Sequence, residues 1–270
     1  FKDCSALVTV RLPKATNIAN EVFYYSSIRF IDLPEATKLG NNAFCGCEQL
    51  RVASLPKVEK LGTNAFINCK MLSVLNLTSL SSIEYSVFSN CESLKSLWLP
   101  NVKTIGSNVF QNTYIEYLQF DTVEKIGNLP STLKGLVLPS TVTSITATTP
   151  PTNFIVYGFN ESYAQQYAEQ VNKEFKPVPC VIFEMPQQVS VEDRFIHAYA
   201  IGYNCTYQWY ENDVVSNEGG TPIEGATKFF YEPKREDGAI AYYCIITSND
   251  GTNENVVVTQ PIENAFEYRE

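Results

Sequence analysis

Cys45 and Cys47 stand one residue apart in "NAFCGCEQL". Thiolates are nucleophiles and soft-metal ligands, so this spacing could serve redox or metal chemistry. Either use needs company. His197 is the only histidine in the chain, and no second closely spaced pair of thiols accompanies the first. With one histidine, no Ser-His-Asp or Cys-His arrangement can assemble near Cys45 without the distant segment that carries His197. The sequence has no phosphate-binding or dinucleotide glycine pattern and no metal-ligand spacing, so no cofactor is expected. Carboxylates number 29, so composition by itself does not exclude a hydrolase.

The elements around Cys47 repeat. Phe recurs at Phe1, Phe23, Phe44, Phe66, Phe88 and Phe110, every 21 or 22 residues. Behind each comes Phe-x-x-Cys-x-x-Leu-x-x-apolar-x-Leu-Pro, then an apolar residue, then Ile/Leu-Gly-x-x-Ala. A second apolar column runs Ile18, Leu39, Leu61, Ile83, Ile105, Ile126. Pro13, Pro34, Pro56, Pro100 and Pro139 each lack a backbone donor and end the strand before them. Gly40, Gly62, Gly106 and Gly127 are expected at turns of positive φ. One such coil cannot fold alone. Fixing 22 residues costs on the order of 22–44 kcal/mol, and half a dozen apolar side chains return roughly 1.5–3 kcal/mol each. Stacking completes the burial, which predicts a solenoid of six coils and an irregular seventh from Leu133.

Within that stack Cys47 is one rung of a column: Cys4, Ser26, Cys47, Cys69, Cys91, Thr113. Two hydroxyl members could neither bridge nor bind a soft metal. The column asks for a small, weakly hydrogen-bonding side chain, as a buried free cysteine provides. Stacked side chains point the same way, with Cβ atoms nearer about 4.8 Å apart than the roughly 3.8 Å a bridge prefers. Cys4, Cys47, Cys69 and Cys91 are therefore expected as a structural ladder of thiols. The slot of Cys45 holds Lys2, Tyr24, Ile67, Ser89 and Gln111 elsewhere, so Cys45 is read as a chance, partly exposed surface cysteine.

These motifs resemble the BspA-type leucine-rich repeats of bacterial surface proteins, over residues 1 to about 157. The resemblance implies a secreted or cell-surface protein that adheres to or recognises something, and not an enzyme. Residue 1 lies inside a repeat, so the expectation is a trimmed chain whose export signal lay in the missing N-terminal part.

After the repeats, residues 161–172 read as a helix with Asn160 as cap and Tyr163, Ala164, Tyr167, Ala168 and Val171 on one apolar face. Such a helix would close the end of the solenoid, giving a domain over 1–176 with a helical cap at about 158–173. Pro-rich residues 177–180 read as a stiff linker. Residues 181–270 form a separate domain by charge. Residues 1–176 carry 15 Lys/Arg against 14 Asp/Glu (+1), and residues 177–270 carry 5 against 15 (−10), which together give the net −9. That distribution offers no basic stripe for nucleic acid. No apolar run is long enough to span a membrane.

The runs "FIHAYAIG", "TYQWYEN", "KFFYEP", "AIAYYCIITS" and "ENVVVTQPI" alternate as strands separated by turn signals, which suggests a β-sandwich. Tyr242 two residues before Cys244, and Trp209 in "YQWY", resemble the tyrosine corner and core tryptophan of immunoglobulin-like domains. In that fold the strands of Trp209 and Cys244 are sheet neighbours. Cys205 shares the inward face of Trp209, so Cys205 and Cys244 are either bridged or two reduced core thiols; Cys180 has no obvious partner. Alternation puts Ile196, Ala198 and Ala200 inward and His197 outward, solvated.

The fold expected is thus mainly β: a leucine-rich-repeat solenoid of about 22-residue coils, then an immunoglobulin-like sandwich. In each strand the residues flanking the central apolar position point away from the core. One flanking column is Thr9, Phe30, Val52, Val74, Ser96, Tyr117, Gly135; the other is Arg11, Asp32, Ser54, Asn76, Trp98, Gln119, Val137. Phe30, Val52, Val74, Trp98 and Tyr117 make the candidate ligand-contact face, because contiguous exposed apolar groups mark contact surfaces. The equal alternative is that β-branched and aromatic residues simply suit strands. The function expected is a non-enzymatic, monomeric surface recognition or adhesion protein that binds a host protein or glycan through the solenoid. The alternative is a structural spacer of a larger surface protein.

Overall fold

Phe23, Phe44 and Phe66 lie ring on ring in the computed structural model, with centroids 5.2 Å apart. The structure describes residues 1–146, 150–178, 187–190, 195–198, 200, 205–234, 238–249 and 254–264. Two compact units divide the chain, Phe1–Pro177 and Val178–Glu270.

The first unit is a β-solenoid of about eight turns. Each coil sends one strand into a parallel, in-register column. Thr9–Arg11, Phe30–Asp32, Val52–Ser54 and Val74–Asn76 form one sheet. Ser96–Leu99, Tyr117–Phe120, Gly135–Val137, Ile155–Gly158 and Glu174–Pro177 form the next. The central residue of each strand enters the core: Ile31, Ala53, Leu97 and Leu118 are fully buried. Where one sheet gives way to the next the aromatic stack also loosens. Ring spacing rises to 6.0 Å for Phe66–Phe88 and 6.5 Å for Phe88–Phe110.

The turn around each phenylalanine needs two left-handed residues. Two positions before Phe stand Glu21, Asn42, Asn64, Ser86 and Asn108, with φ from 55° to 58°. Two positions after stand Tyr25, Gly46, Asn68, Asn90 and Asn112, with φ from 52° to 73°. Asparagine dominates because its short polar side chain tolerates this region. The repeat glycines behave differently from the expectation. Gly40, Gly62, Gly106 and Gly127 are not among the positive-φ residues. Their reason, at two of them, is contact between coils: a Cβ on Gly62 would fall 2.4 Å from Asn41 N, and one on Gly40 would fall 2.5 Å from Ala19 C.

The C-terminal turn exceeds the count of repeats because it carries no Phe signature. After the strand Ile155–Gly158 the chain forms the helix Tyr163–Gln170, then the strand Glu174–Pro177, which pairs in parallel with Ile155–Gly158. Ser162, not Asn160, occupies the N-cap, and its hydroxyl donates to the Phe159 carbonyl. Ala164, Tyr167 and Ala168 are buried. The helix seats directly on the sheet at Gly158, where a Cβ would stand 2.5 Å from the Ala164 Cβ. Charged Glu174 and Lys176, with Pro177, occupy the outermost strand, a composition that blunts an open edge. Pro177, expected to begin the linker, is that strand's last residue; residues 179 and 180 lie outside the described residues.

The described residues of the second unit form two sheets. Gln187–Ser190, Phe195–His197 and Phe230–Tyr231 make one. Thr221–Pro222, Thr206–Asn212, Ala241–Asn249 and Glu254–Val258 make the other, with Ile262–Glu263 also paired to Ala241–Asn249. Fully buried Trp209 and Tyr242 come from the second sheet. Tyr231 of the first sheet lies 6.4 Å from the Trp209 ring and 5.7 Å from the Tyr242 ring. This arrangement is consistent with a β-sandwich. Trp209 donates its indole N–H to the Lys228 carbonyl at 2.9 Å, as a buried indole requires.

One expectation fails in this unit, and one pair of alternatives is decided. His197 is buried at 8% exposure, between Ile196 and Ala198, both at 0%. Both faces of the strand are covered, so alternation does not expose the odd positions. Burial lowers the imidazole pKa to about 4. Cys205 and Cys244 are not bridged to each other, which leaves the alternative of two reduced thiols, Cys244 buried and Cys205 half-buried. The antiparallel register sets Trp209 opposite Cys244 and Thr206 opposite Thr247. Cys205 therefore lies four residues along the strand from the position facing Cys244. That is about 13 Å, against the roughly 4.4–6.8 Å that a bridge spans.

Candidate functional site

The cysteine column builds a hydrogen-bond ladder. Cys47 donates its thiol to the Phe23 carbonyl at 2.8 Å, Cys69 to Phe44 at 3.1 Å, and Cys91 to Phe66 at 3.2 Å. Each bond reaches the preceding coil. Ser26, the hydroxyl member, lies 3.5 Å from the Cys47 sulfur. Cys4, Cys47, Cys69 and Cys91 are all free. Burial pushes the Cys47 thiol up to about 11 and the Cys91 thiol up to about 12, and raises Cys69 well above its ordinary value. Such thiols stay protonated and inert. Cys45 differs from the expectation of a surface residue: it is 8% exposed, and burial raises its thiol too. Burial therefore works against reactivity at both members of the Cys-x-Cys pair. Among the described residues no group of three His, Cys, Asp or Glu side chains could hold a metal ion.

The candidate contact face splits in two. The register aligns Phe30, Val52 and Val74 on consecutive strands. They are 3%, 1% and 2% exposed, so they cannot serve as exposed anchors. In-register neighbours cover their flanks, and the Arg11 guanidinium sits 5.4 Å from the Phe30 ring. Trp98 and Tyr117 are partly exposed, and pair with Gln119 and Ser96 respectively on adjoining strands. That diagonal leaves two aromatic side chains next to each other on one face.

Trp98 is held in place. Its indole N–H donates to Asp121 Oδ2 at 2.9 Å, and the Gln119 amide donates to Asp121 Oδ1 at 2.8 Å. Asp121 is therefore a positioning residue that the repeat pattern passes over. Its signal was present: Asp121 stands in the slot filled by proline in five coils. Burial raises its carboxyl above the ordinary value, while the two hydrogen bonds act in the opposite direction. Asp32, Ser54 and Asn76 precede Trp98 in the same column. Each keeps one buried oxygen without a hydrogen-bond partner among the described residues. A buried polar group left so costs about 1–3 kcal/mol, so the column has unmet hydrogen-bonding capacity beside Trp98.

An open depression of about 400 Å³ near the capped end is lined by Lys134, Asn153, Asn172, Lys173 and Glu174 among others. Its two cations are engaged, Lys134 with Glu116 at 2.6 Å and Lys173 with the Thr152 carbonyl at 2.7 Å. No helix among the described residues is long and apolar enough to cross a membrane.

Comparison with known proteins agrees with the repeat geometry. No curated protein matches this chain. Among solved structures it is similar to the pneumococcal vaccine antigen PcpA, at 17% identity and a TM-score of 0.47, over 65% of this chain and 57% of that one. The match thus spans little more than half the length of that protein. Residues 1–34 and 16–130 match the model of the BspA type leucine rich repeat region, in six copies. Those residues, 130 of the 270, carry BspA type leucine-rich repeats.

Proposed function

We propose that this protein is a non-enzymatic recognition or adhesion protein of the cell surface or its surroundings. The solenoid binds a protein or glycan, and an immunoglobulin-like second unit serves as spacer. The observation that carries this reading is the pair Trp98 and Tyr117. Both are partly exposed on adjoining strands, and Trp98 is oriented by Asp121. Oriented, half-exposed tryptophan and tyrosine are the commonest anchors of contact surfaces. The repeat family supports recognition over catalysis. The burial of Phe30, Val52 and Val74 favours the second reading, a spacer with no ligand of its own.

The experiment is a binding screen of this chain against host matrix proteins and glycans, repeated with Trp98→Ala and Tyr117→Ala. Each variant is first checked for an unchanged thermal midpoint. Binding that falls at least about tenfold in both variants supports the reading. Binding that survives both at full affinity moves the site elsewhere, and absence of any ligand supports the spacer.

A further inference from the structure

Val256 and Val258 in the strand Glu254–Val258 are 50% and 39% exposed. They stand opposite Thr247 and Ile245 of the neighbouring strand, both half-buried on the same face. Next along that face Gln208 pairs with Ile245. Its amide is turned onto the Trp209 and Ile223 carbonyls at 2.9 and 2.8 Å. Tyr210 and Tyr243 stack at 5.0 Å and close one end, with the Tyr243 hydroxyl accepting from the Gly220 amide. The centre of this face is therefore apolar, and the amide beside it is already engaged.

Its charge environment is one-sided. Glu254, two residues before Val256, and Glu263, opposite Ala241, share the face. Alternation puts no lysine or arginine on it among the described residues of these strands. Residues 178–270 carry 5 Lys/Arg against 15 Asp/Glu, or −10. Contiguous exposed apolar groups mark contact surfaces, and the surrounding sign selects the partner. A second copy would set −10 against −10, which disfavours self-association.

We propose that the outer face of the sheet containing Thr206–Asn212, Ala241–Asn249 and Glu254–Val258 docks a basic protein segment. The segment's apolar side chains cover Ile245, Val256 and Val258, and its cations meet the acidic surroundings. The proposal does not rest on Trp98 or Tyr117 and stands or falls independently of them.

The test uses the full chain and a short peptide of alternating lysine and valine, measured by fluorescence anisotropy. The controls are the lysine–serine and glutamate–valine analogues. The expected result is saturable binding of the first peptide and at least about tenfold weaker binding of both controls. The double variant Val256→Thr with Val258→Thr keeps β-branched strand residues and is expected to lose roughly tenfold or more, from the apolar contact removed. The proposal is overturned if the lysine–valine peptide does not bind, if the lysine–serine peptide binds equally, or if the double variant binds as the parent does. Sedimentation that shows a dimer abolished in the double variant would overturn it in favour of a second copy.

Discussion

Cys69 donates its thiol proton to the Phe44 carbonyl, 3.1 Å away on the preceding coil. The same relationship links Cys47 to Phe23 and Cys91 to Phe66. The Phe44 carbonyl also accepts from the Cys47 amide at 3.0 Å, so replacing Cys69 by valine removes one of its two hydrogen bonds and is expected to cost about 0.5–1.5 kcal/mol. Serine keeps a donor and should cost less. Urea unfolding of the two variants decides it; a valine variant as stable as serine would mean that size alone governs the column. In the folded parent, Cys47, Cys69 and Cys91 should not react with a thiol reagent until the chain unfolds.

Gly62→Ala is expected to destabilise the solenoid by more than about 2 kcal/mol, because the added Cβ falls 2.4 Å from backbone atoms of the preceding coil. Gly106→Ala meets nothing nearer than 3.3 Å and should be much milder. Chemical denaturation of both variants checks the contrast. Equal costs would show that backbone freedom, and not contact between coils, selects glycine.

Cys205 and Cys244 should remain unbridged even under oxidising conditions, since the register holds them about 13 Å apart. Peptide mapping without reductant should find no Cys205–Cys244 linkage, and reductant should leave the thermal midpoint unchanged. A linked peptide recovered from folded protein would refute the register.

His197 makes the second unit sensitive to acid. Its folded pKa, about 4, lies below the ordinary 6.5. Below pH 6.5 the unfolded chain binds the proton first, so stability falls as pH drops from 6.5 to 4 and this loss levels off below that. The full loss is about 3 kcal/mol. His197→Leu should flatten this part of the profile. An unchanged slope between pH 6.5 and 4.5 would mean that His197 does not carry it.

Asp121→Asn offers one oxygen where two donors, Trp98 Nε1 and Gln119 Nε2, now bond. One donor must then face an amide N–H₂, at a cost of about 1–3 kcal/mol. Trp98 emission should change. Trp209 is the other tryptophan, so a Trp209→Phe background isolates the signal. Unaltered Trp98 emission and stability would remove Asp121 from its positioning role.

The sequence by itself determined the coil, the stack and the chemistry of the cysteine column. A pattern in constant phase every 21 or 22 residues can bury its apolar side chains only by stacking, and the alternation of Cys with Ser and Thr already asked for a small donor. Trp209 and Tyr242 were likewise legible as core, because large aromatics among alternating strands have few other places to go. Only the tertiary structure decided what each outward position meets. A period of two separates the faces of a strand but does not say whether the second face is covered. Phe30, Val52, Val74 and His197 are buried where alternation leaves them outside. Pairing of Cys205 with Cys244 turned on antiparallel register, which depends on the partner strand and not on either segment alone. The glycine column was visible from the start, but its cause lies in the distance between neighbouring coils, and that distance exists only once the coils stack.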